Sequence, residues 1–219
     1  MAIAFDSASS GQSTTSSVTV AHTISGSNRV LIVAGEDNGG SNWSVTYPVG
    51  GVPTTMTQVN TSDTASGLKL FYLLNPDTGT NNIVATKSSG TFIVITAASY
   101  TGVSQTGFPD NSVKNTYPSS GAATEPITLT PTVANCWVVG AAFVNSNATT
   151  TAGAGTTIRA TNNNASGGVG LGDNNAAINP AASTTLYFVS TATGRAGLAL
   201  SMKPSSAPVS SNSRFLVFM

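Results

Sequence analysis

The chain has 219 residues, of which 40% are hydrophobic, and its eight basic and eight acidic side chains give a formal net charge of zero. Charged residues make up 7% of the sequence, against about 25% in an ordinary globular domain, and the basic ones are scattered singly. Nucleic acid and anionic membranes are therefore not expected as partners, because both require clustered Lys or Arg. The apolar content excludes a disordered chain.

The length suits one domain with a single sizeable core. The N-terminal residues do not form a basic region followed by an apolar stretch, and no segment approaches the roughly 18 apolar residues of a membrane span. We therefore expect a protein made in the cytoplasm without a secretion signal. The one cysteine, Cys136, is followed by Trp137 and Val138, which predicts a buried thiol without special reactivity.

Apolar residues recur with a period of two in many short segments bounded by Gly, Asn, Ser and Pro, a pattern typical of strands and not of helices. On the first predicted strand, Val18, Val20 and Ile24 share one face, which places His22 in the same inward register. The sequence therefore predicts an all-β protein. In chain order the predicted strands are 18–24, 29–34, 43–47, 68–74, 83–86, 92–100, 127–130, 136–144, 186–189 and 197–203.

The segments between these strands carry turn residues. Residues 25–28 predict a hairpin, Asn38-Gly39 predicts a type I′ turn that doubles the chain back into the strand at 43–47, and residues 75–79 predict a further turn. The Pro- and Ser-rich residues 108–123 predict a long surface loop. Residues 162–179, rich in Asn, Gly and Ala, predict weak, exposed structure and a candidate contact loop.

Many short strands with frequent turns favour two stacked antiparallel sheets, that is, a β-sandwich, with a jelly roll as the expected topology. We expect one such domain over residues 1–203. Residues 204–219 form a separate unit, because Pro204 and Pro208 mark a linker that leads into an apolar tail.

Several turn-and-strand segments of the chain resemble those of a known family. They are Ala4-Phe5-Asp6, residues 25–33, Val45-Thr46-Tyr47 leading to Met56-Thr57, residues 71–82 and residues 98–103. Over residues 2–203 the chain resembles a widespread group of uncharacterised jelly-roll domains found in bacteriophage structural proteins and in large bacterial surface proteins. The resemblance implies an architecture, and the group offers no catalytic motif to transfer. A near-complete single domain without a signal peptide favours a virion component over a cell-wall adhesin.

His22 is the only histidine, so any histidine-dependent catalysis would have to use it. A satisfied core or turn histidine is the favoured interpretation. Glu36 and Asp37 are a candidate carboxylate pair or, with Asn38, a candidate calcium site. The favoured alternative for these three residues is a polar hairpin tip before Gly39.

A second cation candidate, Asp173-Asn174-Asn175, lacks the alternating acidic spacing of a calcium loop, so an ordinary loop is favoured there. The eight acidic residues offer no evident pair for glycoside hydrolysis. We therefore expect no enzyme activity, no cofactor and no resident metal. Four aromatic residues are candidate platforms for stacking on sugars, with core packing favoured for the first two: Trp43, Tyr47, Tyr100 and Tyr117.

The C-terminal tail is the candidate subunit contact. After Arg214 it consists of an unbroken apolar run, whose members are Phe215, Leu216, Val217, Phe218 and Met219. Such a run can fold back as a last strand on its own sandwich, or pair with a neighbouring subunit by strand addition. We favour the neighbour.

These observations lead to three functional hypotheses. The first is a virion structural protein, either a capsid decoration or cement protein or a tail component, whose partners are the major capsid protein and further copies of itself. The second is a carbohydrate-binding or adhesive module located at a cell surface and binding a glycan. The third is an extracellular filament subunit, joined to the next by strand addition of its tail.

Overall fold

The computed structural model describes residues 1–36, 42–59, 67–90, 92–117, 124–144, 148–163, 167–191 and 195–206. Within these ranges the regular structure is entirely β-strand and turn, which confirms the all-β prediction. Seventeen strands are formed by the described residues. The first nine are β1 (Ala4–Ser13), β2 (Ser17–Ile24), β3 (Val30–Glu36), β4 (Trp43–Val49), β5 (Val52–Thr55), β6 (Thr57–Val59), β7 (Lys69–Leu74), β8 (Gly79–Lys87) and β9 (Ile93–Thr101). The other eight are β10 (Asn111–Tyr117), β11 (Thr124–Leu129), β12 (Trp137–Val144), β13 (Thr151–Ala152), β14 (Thr157–Asn163), β15 (Gly168–Asp173), β16 (Thr184–Val189) and β17 (Arg195–Met202).

The strands form antiparallel sheets, as expected of a β-sandwich, but the described residues contain four sheets where two were predicted. Two sheets have five strands, in the orders β1-β9-β3-β7-β6 and β10-β17-β12-β15-β14. The other two have the orders β2-β8-β4-β5 and β11-β16-β13. The extra pair arises because the chain forms the same arrangement twice.

The two halves of the chain have matching strand orders. Taking β10 as the equivalent of β1, β17 of β9, β12 of β3, β15 of β7 and β14 of β6 turns the first five-stranded sheet into the second. Taking β11 as the equivalent of β2, β16 of β8 and β13 of β4 likewise turns β2-β8-β4 into β11-β16-β13. Only β5 has no equivalent among the described strands. We call β1 to β9 the first sandwich and β10 to β17 the second sandwich.

Three hydrophobic cores stack the four sheets into layers. One lies between the sheets of the first sandwich, where Val18 and Val20 meet Leu31 and Val33. A second fills the second sandwich. The third and largest lies between the two five-stranded sheets and takes residues from both halves. The layers therefore contain four, five, five and three strands, and the two five-stranded sheets are covered on both faces.

Two predicted turns within the described residues reverse the chain, but neither joins neighbouring strands of one sheet. Residues 25–28 connect β2 to β3 and residues 75–78 connect β7 to β8, and each pair lies in two different sheets. Asn28 and Asn75 adopt positive φ angles of 51° and 50°, as their turn chemistry predicts. Asn38-Gly39 lies outside the described residues, yet β4 pairs with β5 and β8 and not with β3. The hairpin expectations were therefore wrong about the partner strand.

Two segments that were predicted to be loops contain strands. Within residues 108–123, β10 pairs with β17 along its whole length, and residues 118–123 lie outside the described part. Within residues 162–179, β15 is buried throughout because Val169 and Leu171 point into the shared core. The prediction of weak, exposed structure was wrong there, because the glycines that lowered the strand propensity of this segment are what allow it to be covered closely.

The glycines on one face of β15 allow residues 150–157 to pack directly against the sheet. A Cβ atom at Gly170 would stand 2.7 Å from Cγ2 of the buried Thr150, and one at Gly172 would stand 2.7 Å from the carbonyl oxygen of Thr157. Both distances are shorter than van der Waals contact permits. Only glycine therefore allows residues 150–157 to close the second sandwich at this spacing.

The close approach at Gly170 predicts that Gly170→Val destabilises the fold by about 1 to 3 kcal/mol, the usual cost of overpacking a filled core. Urea unfolding followed by tryptophan fluorescence measures the change. Ala21→Val adds methyl groups at an exposed position of β2, so its unfolding midpoint should stay close to that of the unaltered protein. Equal midpoints for both variants would contradict the packing argument.

Candidate functional site

An aspartate fastens the start of the first sandwich. On β1, Asp6 accepts hydrogen bonds from the backbone N–H of Ser25 at 3.0 Å, from the Ser25 hydroxyl, and from Ser99 Oγ at 2.7 Å. Because Ser25 follows β2 and Ser99 lies on β9, this one carboxylate ties both sheets of the sandwich together. We call the arrangement a carboxylate clasp.

The second sandwich has the same clasp. Asp110, just before β10, accepts hydrogen bonds from the backbone N–H of Thr132 at 2.8 Å, from the Thr132 hydroxyl, and from Ser201 Oγ at 2.9 Å. Burial raises the pKa of Asp6 and of Asp110, but the donated hydrogen bonds lower it further, so both pKa values lie below the ordinary value. The two carboxylates are therefore anions that hold sheets together.

His22 lies inside the first sandwich, as its register predicted. The residue is 2% exposed, and its ring has Nδ1 2.8 Å from Ser9 Oγ and Nε2 3.2 Å from Ser7 Oγ. The structure thus supports the interpretation of a satisfied core histidine. The charge of Asp6 acts on the ring electrostatically, but the Asp6 carboxylate accepts its hydrogen bonds from Ser25 and Ser99.

Asp173 belongs to a buried ion pair of the second sandwich, at its contact with the first. Arg159 of the second sandwich holds both oxygens of the carboxylate, through Nε at 2.7 Å and Nη2 at 3.0 Å. Tyr100 of the first sandwich donates its hydroxyl to Asp173 Oδ2 at 2.7 Å. Burial, followed by the charge of Asp173, raises the pKa of Tyr100 well above its ordinary value, so the phenol stays a donor. Asn175 donates its backbone N–H to the same carboxylate.

These contacts replace the cation site considered for Asp173-Asn174-Asn175. A bidentate guanidinium already neutralises the carboxylate, and Asn174 Oδ1 accepts the backbone N–H of Val138. The Arg159 guanidinium also lies 4.2 Å above the ring of Phe5 on β1. Ion pair, hydroxyl and aromatic face together bridge the sandwiches.

Glu36, from the other candidate carboxylate site, is also part of the protein interior. Glu36 is fully buried at the end of β3, so the expectation of a polar hairpin tip was wrong for this residue, while Asp37 and Asn38 lie outside the described residues. In the described part of the chain, no group of three or more His, Cys, Asp or Glu side chains is placed to hold a metal ion. Burial raises the pKa of Cys136 to about 11, in line with the predicted unreactive thiol.

The predicted aromatic platforms are largely packed inside. Tyr47 and Tyr100 are fully buried, and Trp43 stacks on Phe71 with ring centroids 6.2 Å apart. The core packing favoured for Trp43 and Tyr47 is therefore confirmed, and Tyr100 is lost as a platform for the same reason. The side chain of Tyr117 lies outside the described part.

Two of the surface depressions formed by the described residues have volumes typical of ligand sites. A cleft of 560 Å³ lies where the N-terminal residues meet Trp137, Pro204 and Ser205. A groove of 410 Å³ crosses the outer sheet of the first sandwich. It is lined by Thr46, Tyr47, Pro48, Pro53, Thr80, Asn81, Asn82 and Val84.

The predicted subunit contacts Phe215, Leu216, Val217, Phe218 and Met219 lie outside the described residues, so their role stays a prediction. Two groups that matter to the structure were not predicted: the clasps, and the pair of Arg159 with Asp173. The signal in the sequence that could have identified the clasps is a repeated pattern. Ser25-x-x-Asn28 precedes the apolar run of β3, and Thr132-x-x-Asn135 precedes that of β12.

The ion pair predicts a large cost for removing its cation. Arg159→Met leaves the Asp173 carboxylate buried without its counter-charge, which should destabilise the fold by about 3 to 5 kcal/mol. Adding Asp173→Asn, which removes the charge and keeps an acceptor for Tyr100, should recover much of that loss. Urea unfolding of the two single variants and the double variant measures the coupling. Simple additivity of the two single effects would contradict the buried pair.

Within the described residues no helix has the length and apolar character needed to cross a membrane. No protein-family model and no curated protein matches the chain. Any function assigned to it therefore depends on the arrangement of its own residues.

Proposed function

We propose that the chain is a virion structural protein, most specifically a capsid decoration or cement protein that stabilises subunit junctions, with a tail component as the variant. The observation that carries the proposal is the four-layer stack. Its two outer sheets face in opposite directions, so one molecule can contact two neighbours at once. Such contacts become stable when a well-packed interface of about 1,600 Å² forms.

The outer sheets are suited to protein contacts because both carry small, uncharged threonines on their outward faces. Thr19 and Thr23 are exposed on β2, and Thr124 and Thr128 are exposed on β11. Cross-strand threonine hydroxyls meet at 2.8 Å in both sandwiches, Thr23 with Thr80 and Thr128 with Thr185. A surface of this kind is covered by a partner without the desolvation of charged groups.

The strand orders favour a jelly roll for each sandwich. In the first, β1 pairs with β9, β2 with β8, β3 with β7 and β4 with β5. These nested pairs are what a rolled two-stranded ribbon produces. Jelly rolls occur in viral capsid proteins and in lectins, so the topology is compatible with the virion proposal and with its main alternative.

In this proposal the apolar residues 215–219 form the contact between subunits. The structure indicates the position at which the chain can be truncated to remove them. Pro204 forms a bridge with Val103, and Ser205 donates its backbone N–H to the carbonyl oxygen of Gly102 at 2.7 Å. A truncation at Lys203 would remove both contacts. A chain ending at Ser206 keeps them, and so separates a loss of assembly from a loss of folding.

We expect the full chain to form trimers or larger species, and the chain ending at Ser206 to be a folded monomer. Light scattering after size exclusion measures both masses. A matched full-length control with Phe215→Ser and Phe218→Ser keeps the chain length and should behave like the truncation. Identical masses for all three proteins would contradict assembly through the tail.

A second candidate function is glycan binding in the groove of the first sandwich. Its hydroxyl and amide side chains beside two prolines give the mixed polarity of a site for a neutral sugar. We expect millimolar or tighter binding of a neutral oligosaccharide, weakened at least tenfold by Asn82→Ala and unchanged by Thr128→Ala on the other outer sheet. A glycan array without any binder would contradict this alternative.

A further inference from the structure

His22 lies where the two sheets of the first sandwich meet at an edge. β1 is the edge strand of one sheet and β2 is the edge strand of the other. His22 projects inward from β2, and its two ring nitrogens contact Ser7 and Ser9 of β1. The imidazole is therefore a polar link between the two edge strands.

The hydrogen-bond partners suit a neutral imidazole. Ser7 donates its hydroxyl to the carbonyl oxygen of Thr23, so Ser7 Oγ acts as the acceptor for a proton on His22 Nε2. Ser9 then donates its hydroxyl to the unprotonated Nδ1. In this arrangement every hydrogen-bonding group of the ring is satisfied and the ring carries no charge.

The second sandwich shows that the fold does not require a histidine at this place. The clasps make Ser25 and Thr132 equivalent, and the carbonyl oxygens two residues before them, of Thr23 and Thr130, accept hydrogen bonds from Ser7 and Asn111. The residue before each of these threonines is His22 in the first sandwich and Leu129 in the second.

The serine that contacts His22 is replaced as well. Ser7 pairs with Ser99, and Asn111 pairs with Ser201, and the two clasps make Ser99 and Ser201 equivalent. Two residues further along, Ser9 corresponds to Val113. In the second sandwich Val113 packs against the core that contains Leu129. The second sandwich therefore has apolar side chains at the two places where the first has a serine and an ionisable ring.

We propose that His22 is an acid-sensitive joint: its protonation loosens β1 from β2 in the first sandwich, while the equivalent edge of the second sandwich stays closed. Protonation places a positive charge at a site that is nearly inaccessible to water. The serine hydroxyls can rotate to accept from the charged ring, but they cannot neutralise it.

The titratable groups that face His22 from the packed strands are few among the described residues. Asp6 on β1 provides the one opposing charge, and its hydrogen bonds go to Ser25 and Ser99. From β4, Tyr47 donates its hydroxyl to the carbonyl oxygen of His22 at 3.2 Å. Burial lowers the pKa of His22 to about 4, and Asp6 opposes this only in part.

The direction of the pH effect follows from that lowered pKa. The opened edge exposes an ordinary histidine with a pKa of about 6.5, so between pH 6.5 and 4 the open form binds a proton that the closed form does not. Acid therefore favours opening. The contribution to stability is complete above about pH 6.5, and it is lost as the pH falls towards 4.

Hydrogen–deuterium exchange of the full chain at pH 7.5 and pH 5 tests the proposal. Protection factors, which are corrected for the intrinsic pH dependence of exchange, should fall about 30-fold in β1 and β2 at pH 5. Those of β10 and β11 should change little, so the second sandwich is an internal control. Equal changes in the two sandwiches would overturn a local joint.

Two variants separate the ring from its surroundings. His22→Gln keeps a hydrogen-bonding side chain that does not titrate in this range, and His22→Leu with Ser9→Val copies the second sandwich. Both should lose the 30-fold change between pH 7.5 and pH 5. If His22→Gln keeps it, the proposal is wrong.

A titration of the unaltered protein tests the same idea without any variant. His22 is the only histidine of the chain, so one imidazole resonance in the NMR spectrum reports its protonation. We expect a midpoint well below 6. A midpoint at the ordinary value of about 6.5 would overturn the proposal even if neither variant folds.

Discussion

The burial of two five-stranded sheets against each other is the constraint on which the rest of the structure depends. Each of these sheets already has a partner sheet on its other face, so strands such as β3, β9 and β12 have no side that meets water. Strands covered on both faces are expected to be almost continuously apolar, and these are. The outer strands, with one face in solvent, alternate instead, as in β2 and β8.

A shared core of this kind also determines how polar groups are used. A charge placed between the sheets must be neutralised within the protein, and Asp173 meets that condition through Arg159 and Tyr100. At the sandwich edges, where water is nearer, single carboxylates suffice, because Asp6 and Asp110 collect hydroxyl and backbone donors. In a chain with few charges, four of the charged side chains that the structure describes, those of Asp6, Asp110, Arg159 and Asp173, are used to join sheets.

The local elements could be predicted from the sequence, and their partners could not. Alternating patterns and apolar runs predicted most of the strands, because the hydrophobic periodicity of a strand depends only on its own residues. The turns at Asn28 and Asn75 were also recognisable. Whether a turn returns the chain along the same sheet or carries it to the opposite one depends on packing far away in sequence. The hairpin predictions failed at that step.

The remaining errors have a similar physical origin. Strand β15 was missed because Gly168 and Gly170 have low strand propensity by themselves, and their value appears only when residues 148–150 lie against them. The exposed edge strand β1 was missed because its Ser-rich residues carry a weak apolar signal. The duplication was missed because it is a likeness of strand order more than of sequence, with only the Ser/Thr-x-x-Asn pattern repeated before β3 and β12.

The duplication provides a way to separate what the fold needs from what it does not. Features found in both sandwiches, such as the clasps and the paired threonines, are explained by the architecture. Features found in one sandwich need another explanation, because the other folds without them. Two such features lie in the first sandwich: the His22 link, and the groove whose wall β5 helps to form. If this chain evolved a role beyond rigidity, the asymmetry places that role in the first sandwich.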